Sequence, residues 1–175
     1  TTQVALFDDL GVGRTNANMT SNDTIAGIRF GSGATVSYNI SGSGSATRTL
    51  TLDGVIPYIQ QQSANTQTIS IARLALGANT VADITAAGNL TISSAIYSSD
   101  NLIKDGTGTG KLILSGNNTN LTGDIFVNNG TLQAANSNAL GTGTTTVSGG
   151  ATLELSGGIS PSNAITVAGT GATVP

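Results

Sequence analysis

The sequence of 175 residues contains no cysteine and no histidine. Their absence excludes a disulfide framework, a zinc site built on those ligands and a histidine acid–base catalyst. Charged residues make up 9% of the chain, where about 25% is typical. The six Lys and Arg residues against nine Asp and Glu residues exclude a basic nucleic-acid-binding protein. No apolar run is long enough for a membrane-spanning helix, and no signal peptide is recognisable.

Small polar residues dominate instead. The chain contains 24 Gly, 27 Thr, 18 Ser and 16 Asn residues, so these four types form nearly half of it. This composition favours extended chain and turns over helices. Hydrophobic residues still make up 38% of the sequence. Its Leu, Ile and Val residues are regularly spaced, which indicates a folded protein and not a disordered one.

Short phrases of one type recur along the chain. Their leading glycines are Gly88, Gly110, Gly130 and Gly150, so the repeat has a nearly constant period of roughly 20 residues. Apolar residues alternate with polar ones inside each phrase, which is the period-two pattern of a strand with one buried face. Three further segments continue the series, the two upstream ones less regularly: Thr49–Leu52, Thr68–Ile71 and Gly171–Val174.

A second apolar strand lies about half a period from each phrase, at Ile103, Ile125 and Val127, Val147, and Ile165 and Val167. Such a repeat predicts an all-β protein, a parallel β-helix (β-solenoid) of about eight coils of ~20 residues. A β-sandwich is the main alternative fold. Helical spacing is nearly absent, and only 56–67 and 134–140 are compatible with a helical turn. One continuous buried column is predicted for Leu90, Ile92, Leu112, Leu114, Leu132, Leu153, Leu155 and Val174.

Several phrases resemble the autotransporter-associated β-strand repeat, also called the passenger-associated transport repeat. The matching phrases are Lys104–Gly108, Leu112–Thr119, Thr122–Gly123 and Val127–Gln133, with looser similarity at Ile25–Phe30, Leu76–Thr80 and Ala139–Gly143. The chain departs from the family pattern by a longer turn between Gly108 and Leu112. It also has Leu121 where the family has an aromatic residue. The resemblance implies a right-handed β-helix in a bacterial surface or secreted protein that is exported through an outer-membrane barrel.

Three carboxylates recur at intervals close to the repeat. They are Asp83, Asp105 and Asp124, so they could stack along one edge of the solenoid. Paired carboxylates serve glycosidic cleavage, and carboxylate oxygens bind Ca²⁺. Turn geometry is the favoured explanation of these residues. No catalytic, cofactor-binding or metal-binding residue is therefore predicted.

Three further motifs have structural explanations. The stretch 106–110 is interpreted as a turn, because neither a Gly-Lys-Ser/Thr motif nor a helix follows it, as a phosphate loop requires. The Asn-x-Ser/Thr triplets are interpreted as parts of Asn ladders at the corners of the coils. An ice-binding threonine array is disfavoured, because the equivalent outward positions hold unlike residues: Thr91, Ile113, Gln133 and Glu154.

The sequence therefore predicts a non-enzymatic stalk or adhesin segment, extracellular or on the bacterial cell surface. We expect residues 1–175 to form a single solenoid segment of a longer surface protein. The expected partners are further copies of the chain, associating end to end or laterally, or a cell-surface glycan or protein. No cofactor is expected. The alternative function is a carbohydrate-active β-helix, either a polysaccharide lyase or hydrolase or a glycan-binding module.

Overall fold

A computed structural model of the chain describes residues 2–8, 15–42 and 47–168. All regular elements in these ranges are strands, and no helix occurs among them. In chain order the strands are β1 (Val4–Phe7), β2 (Asn16–Met19), β3 (Asp23–Ile25), β4 (Gly27–Phe30), β5 (Asn39–Gly42), β6 (Thr49–Leu52), β7 (Tyr58–Gln61), β8 (Gln67–Ile69), β9 (Arg73–Leu76), β10 (Thr80–Ile84), β11 (Leu90–Ile92), β12 (Ala95–Tyr97), β13 (Leu102–Asp105), β14 (Lys111–Leu114), β15 (Ile125–Val127), β16 (Thr131–Ala134), β17 (Thr145–Val147), β18 (Thr152–Leu155) and β19 (Ile165–Val167).

The strands form three sheets. Sheet A contains eight strands in the order β1-β4-β7-β10-β13-β15-β17-β19. Sheet B contains β2, β5, β8, β11, β14, β16 and β18, and sheet C contains β3, β6, β9 and β12. All strand pairs in the described residues are parallel, which excludes the β-sandwich.

Each coil begins with a strand of sheet A and continues into sheet B. The eight strands of sheet A therefore begin coils 1 to 8, and seven of these coils contribute a strand to sheet B. The coils differ in length, since the register partners Gly27 and Tyr58 are farther apart in sequence than the partners Phe126 and Thr146. The predicted parallel β-helix is confirmed, with seven coils that reach sheet B.

The register of sheet B confirms most of the predicted buried column. Leu90, Leu112, Leu132 and Leu153 are successive partners. The other predicted residues form a second column beside it, in which Ile92, Leu114, Ala134 and Leu155 are successive partners. Leu155 is 50% exposed, because β18 is the last strand of sheet B in the described residues. Val174 and the phrase Gly171–Val174 lie outside the described residues.

One sequence-based assignment is wrong. Thr49–Leu52 forms β6 in sheet C, and β5 holds the expected place in sheet B. Of the two segments whose sequence is compatible with a helical turn, 56–67 contains β7 and the start of β8, because stacking on neighbouring coils pairs its backbone groups there. The segment 134–140 contains the end of β16 and a turn, in which the amide of Ala139 donates to the carbonyl oxygen of Asn136 at 2.9 Å.

The interior is one continuous apolar core that extends from Ile28 to Val147 in the described chain. Leu121 is fully buried in this core. Burying one such Leu or Ile side chain contributes about 1.5–3 kcal/mol, and the core contains such residues in nearly every coil. Neighbouring coils therefore stabilise one another, as in other solenoids.

Sheet C ends at β12, and a single parallel bridge between Ser98 and Leu121 is its only continuation in the described residues. The early coils consequently have three sheets, whereas the later ones have two sheets joined by turns. No helix in the described ranges has the length and apolar character needed to cross a membrane.

Candidate functional site: the outer face of sheet A

The predicted carboxylate row is only partly correct. Asp83 and Asp105 are register partners on β10 and β13. Asp124 lies at the opposite end of the strands, immediately before β15. Because Lys104 is the partner of Val127, the same register places Asn128, and not Asp124, opposite Asp105. The three carboxylates do not form one row.

Asp124 belongs to a ladder of side chains at the corner before sheet A. The Oδ1 atom of Asn79 accepts a hydrogen bond from the amide of Asn101 at 3.0 Å. Asn101 Oδ1 in turn accepts from the amide of Asp124 at 2.9 Å, and Asp124 Oδ1 accepts from the amide of Thr144 at 2.8 Å. Each side chain of this ladder is bonded to the backbone of the next coil, but none of the three belongs to an Asn-x-Ser/Thr triplet.

Four outward-facing residues of sheet A form what we call the polar column: Arg29, Gln60, Asp83 and Asp105. They are successive register partners in coils 2 to 5. Arg29 Nε donates to Gln60 Oε1 at 2.8 Å, and Gln60 Nε2 reaches Asp83 Oδ2 at 3.5 Å. The column therefore carries a positive charge at one end and two negative charges at the other.

Asp105 is held by hydrogen bonds at the end of its strand. Its Oδ1 atom accepts from Asn129 Nδ2 and from the amide of Gly106, both at 2.7 Å. The bond from Asn129 is the main reason that the pKa of Asp105 is lowered, and the Gly106 amide acts in the same direction. Asp105 consequently remains ionised at the edge of the sheet.

Lys104 lies behind this column and is fully buried. Its Nζ atom donates to the carbonyl oxygen of Asp105 at 2.5 Å and to that of Asn129 at 3.0 Å, so it joins the turns of two coils. Burial lowers the pKa of Lys104, while the charges of Asp105 and Asp83 oppose that shift. The buried position of Lys104 was not predicted from the sequence. Its alternation with the buried Leu102 on the same strand was the available signal.

An apolar column lies beside the polar one on the same face. It consists of Tyr58, Val81, Ile103 and Phe126, which are half-buried register partners in coils 3 to 6. Leu102 occupies the interior position of β13, so Ile103 faces outward.

The outer face of sheet B differs in chemistry. Its aligned outward residues Thr91, Ile113, Gln133 and Glu154 are successive partners, which confirms the mixed column that disfavours ice binding. Lys111 and Glu154 form an ion pair of 2.8 Å on this face. An uninterrupted outward run of four apolar residues therefore distinguishes sheet A.

Within the described ranges, no three acidic side chains converge to form a group that could hold a metal ion. No family model matches the chain, and neither a curated protein nor a solved structure matches it significantly. The geometry of sheet A provides a flat apolar strip with a charged edge. Such a surface is suited to non-covalent contact with another molecule.

Proposed function

We propose that this chain is a structural stalk or adhesin segment of a bacterial cell-surface or extracellular protein of the autotransporter-passenger kind. The main support is the continuous parallel stacking of coils around one apolar core. The phrases that resemble the autotransporter-associated repeat lie in coils 5 and 6, where they form β13, β14, β15 and β16.

A solenoid of this kind extends by about 4.8 Å per coil, so the seven coils that reach sheet B form a segment about 34 Å long. Side chains bonded to the backbone of the next coil, such as those of Asn101 and Asp124, tie successive coils together. The fold thus supplies length and stiffness, and it leaves the outer faces of its sheets free to display binding residues. These properties suit a non-enzymatic spacer that also mediates adhesion or self-association.

An adhesion assay tests this function. Beads coated with the chain should aggregate or bind cell-surface material, whereas beads coated with the heat-unfolded chain should not. A glycan array and a polysaccharide-cleavage assay are run on the same preparation. Binding without turnover is the expected outcome, and bead behaviour identical for the folded and unfolded chains would contradict the proposal.

The alternative function is a carbohydrate-active β-helix, and the observation that favours it is the pairing of Asp83 with Asp105. Neighbouring strands lie about 4.8 Å apart, and glycosidases commonly place two carboxyl groups ~5–10 Å apart. This function predicts polysaccharide cleavage that is abolished in both Asp83→Asn and Asp105→Asn. Cleavage with that dependence would replace the adhesin proposal.

A further inference from the structure

We propose that the outer face of sheet A binds a second copy of this chain, with the two solenoids packed face to face and their axes antiparallel. The inference rests on the self-association included in the proposed function, to which it gives a surface and a geometry.

The apolar column supplies the centre of this interface. It continues beyond Tyr58 through Gly27 to Val4, whose side chain is 40% exposed in coil 1. Ile56, in the bend just before β7, is 68% exposed. A contiguous apolar surface of this length marks an interaction site, because covering it removes apolar area from water.

The charge order of the polar column selects a second copy as the occupant. Arg29 is in coil 2 and Asp105 is in coil 5, three coils or about 14 Å apart, so these two groups cannot pair within one chain. On sheet B, by contrast, Lys111 and Glu154 are close enough to pair internally. The column is therefore left with opposite charges at its two ends.

A two-fold axis that runs parallel to the strands, between coils 3 and 4, makes this pattern self-complementary. It places coil 2 of one copy against coil 5 of the other, so Arg29 faces Asp105 of the second copy and Gln60 faces Asp83 of the second copy. The same operation brings the two apolar columns together. Parallel solenoid axes would either bring like charges together or leave Arg29 without a carboxylate opposite it, which is why we infer the antiparallel arrangement.

The size of the face predicts a reversible dimer. A strand of four residues is about 13 Å wide, and six coils extend about 29 Å along the axis. Such an area, roughly 380 Å² on each copy, is smaller than that of stable specific interfaces, so the dimer is weak. Asp83 and Asp105 at its edge disfavour an anionic membrane or polyanion as the occupant.

Sedimentation velocity over a concentration series tests the surface. Ile103→Thr, on the apolar column, is expected to raise the dimer dissociation constant about tenfold or more. Ile113→Thr is the matched control, since Ile113 is a half-buried outward residue of sheet B. Equal weakening by both variants, or a wild-type chain that stays monomeric at all concentrations, would overturn the proposal.

A charge exchange tests the orientation. Arg29→Asp and Asp105→Arg should each weaken self-association, because each homodimer then places like charges together. An equimolar mixture of the two variants should form a heterodimer, in which both ends of each polar column again meet an opposite charge. A mixture of the two folded variants that stays monomeric would refute the antiparallel geometry. Should Asp105→Arg unfold, as circular dichroism would show, a double variant of Gln60→Asp and Asp83→Arg decides, because these two positions face each other across the two-fold axis: association restored above that of Gln60→Asp alone supports the arrangement, and no recovery refutes it.

The result of these association experiments can be distinguished from the result of the bead assay that tests the proposed function. A dimer with these dependences, found for a chain that fails the bead assay, would leave the interface intact and remove the adhesin role. Adhesion of beads that is insensitive to Ile103→Thr would support the adhesin role and count against this interface as its cause.

Discussion

Gly110 lies directly against Gly88 of the preceding coil, so closely that a Cβ atom on Gly110 would overlap the carbonyl oxygen of Gly88. Both glycines begin repeated phrases in the sequence. A backbone-to-backbone contact between coils, and not a turn that needs positive φ, requires glycine at these two positions. Gly130 begins the following phrase but has φ of 69°, so the same place in the repeat is occupied by glycine for a second reason.

We expect Gly110→Ala to destabilise the protein by about 1–3 kcal/mol or more, because the new methyl group forces two coils apart. Gly149→Ala is the matched control, since the nearest atom to its Cβ, the carbonyl oxygen of Ala168, would be at an ordinary contact distance of 3.4 Å. Its effect should be within about 0.5 kcal/mol. Urea denaturation of both variants measures the difference. Similar midpoints for the two would show that coil spacing tolerates the added methyl group.

Leu112→Ala should reduce the free energy of unfolding by about 2–5 kcal/mol, because Leu112 is fully buried between Leu90 and Leu132 and its truncation leaves a cavity. Asn117→Ala, at an exposed position in the turn after β14, should have a much smaller effect. Thermal melts compare the two variants. Equal shifts of the melting temperature would mean that the core is elsewhere.

Asp124→Ala should destabilise the protein by about 1 kcal/mol, since the amide of Thr144 loses its acceptor in the corner ladder. Asp124→Asn keeps an acceptor oxygen in place and should be close to wild type. Chemical denaturation of this pair distinguishes a ladder residue from one whose charge matters. Strong destabilisation by the asparagine variant would contradict the ladder role.

Because Lys104 is buried, the free energy of unfolding should increase with pH on the alkaline side. Burial lowers the pKa of Lys104 in the folded protein below its ordinary value of 10.5. Between the lowered pKa and 10.5 the unfolded chain binds more protons than the folded one, so the free energy of unfolding increases with pH in that window. Lys104→Met abolishes this contribution. Melting curves of both proteins from neutral pH to above pH 10 should show that the melting temperature of the wild type rises relative to that of the variant. A constant difference between the two melting temperatures would contradict the assignment.

The period of the sequence predicts the architecture because the later coils have short corners. Leu90, Leu112 and Leu132 align as expected, since nothing longer than a turn interrupts their coils. The coil that begins at Gly27 is longer, because the chain does not return to its partner position until Tyr58, and the repeat is obscured there. Alternation alone also cannot assign β6 to its sheet, because an inward Leu beside an outward Thr looks the same in sheets B and C.

The outer face of sheet A was harder to predict for a physical reason. Apolar residues on both faces of a strand, as in Leu102 and Ile103, give a continuous run that does not reveal which one is inside. A charged residue is expected outside, whereas the Lys104 ammonium is accommodated in the interior by two backbone carbonyl groups. The pairing of Asp83 with Asp105 was predicted correctly from the repeat. Asp124 was misplaced because it lies only 19 residues after Asp105, whereas register partners in that coil, such as Lys104 and Val127, are 23 residues apart.

The division of the chain into stacked coils has a mechanical consequence. Each coil is held only by its neighbours, so a pull on the backbone detaches one coil at a time and leaves the rest folded. The coil from Ile103 to its partner Phe126 lengthens to about 80 Å when extended, against a rise of about 4.8 Å when stacked. Single-molecule pulling should record this as a sawtooth of steps about one coil long. A tether made of such units absorbs work by lengthening in steps, and it limits the peak force on whatever it holds.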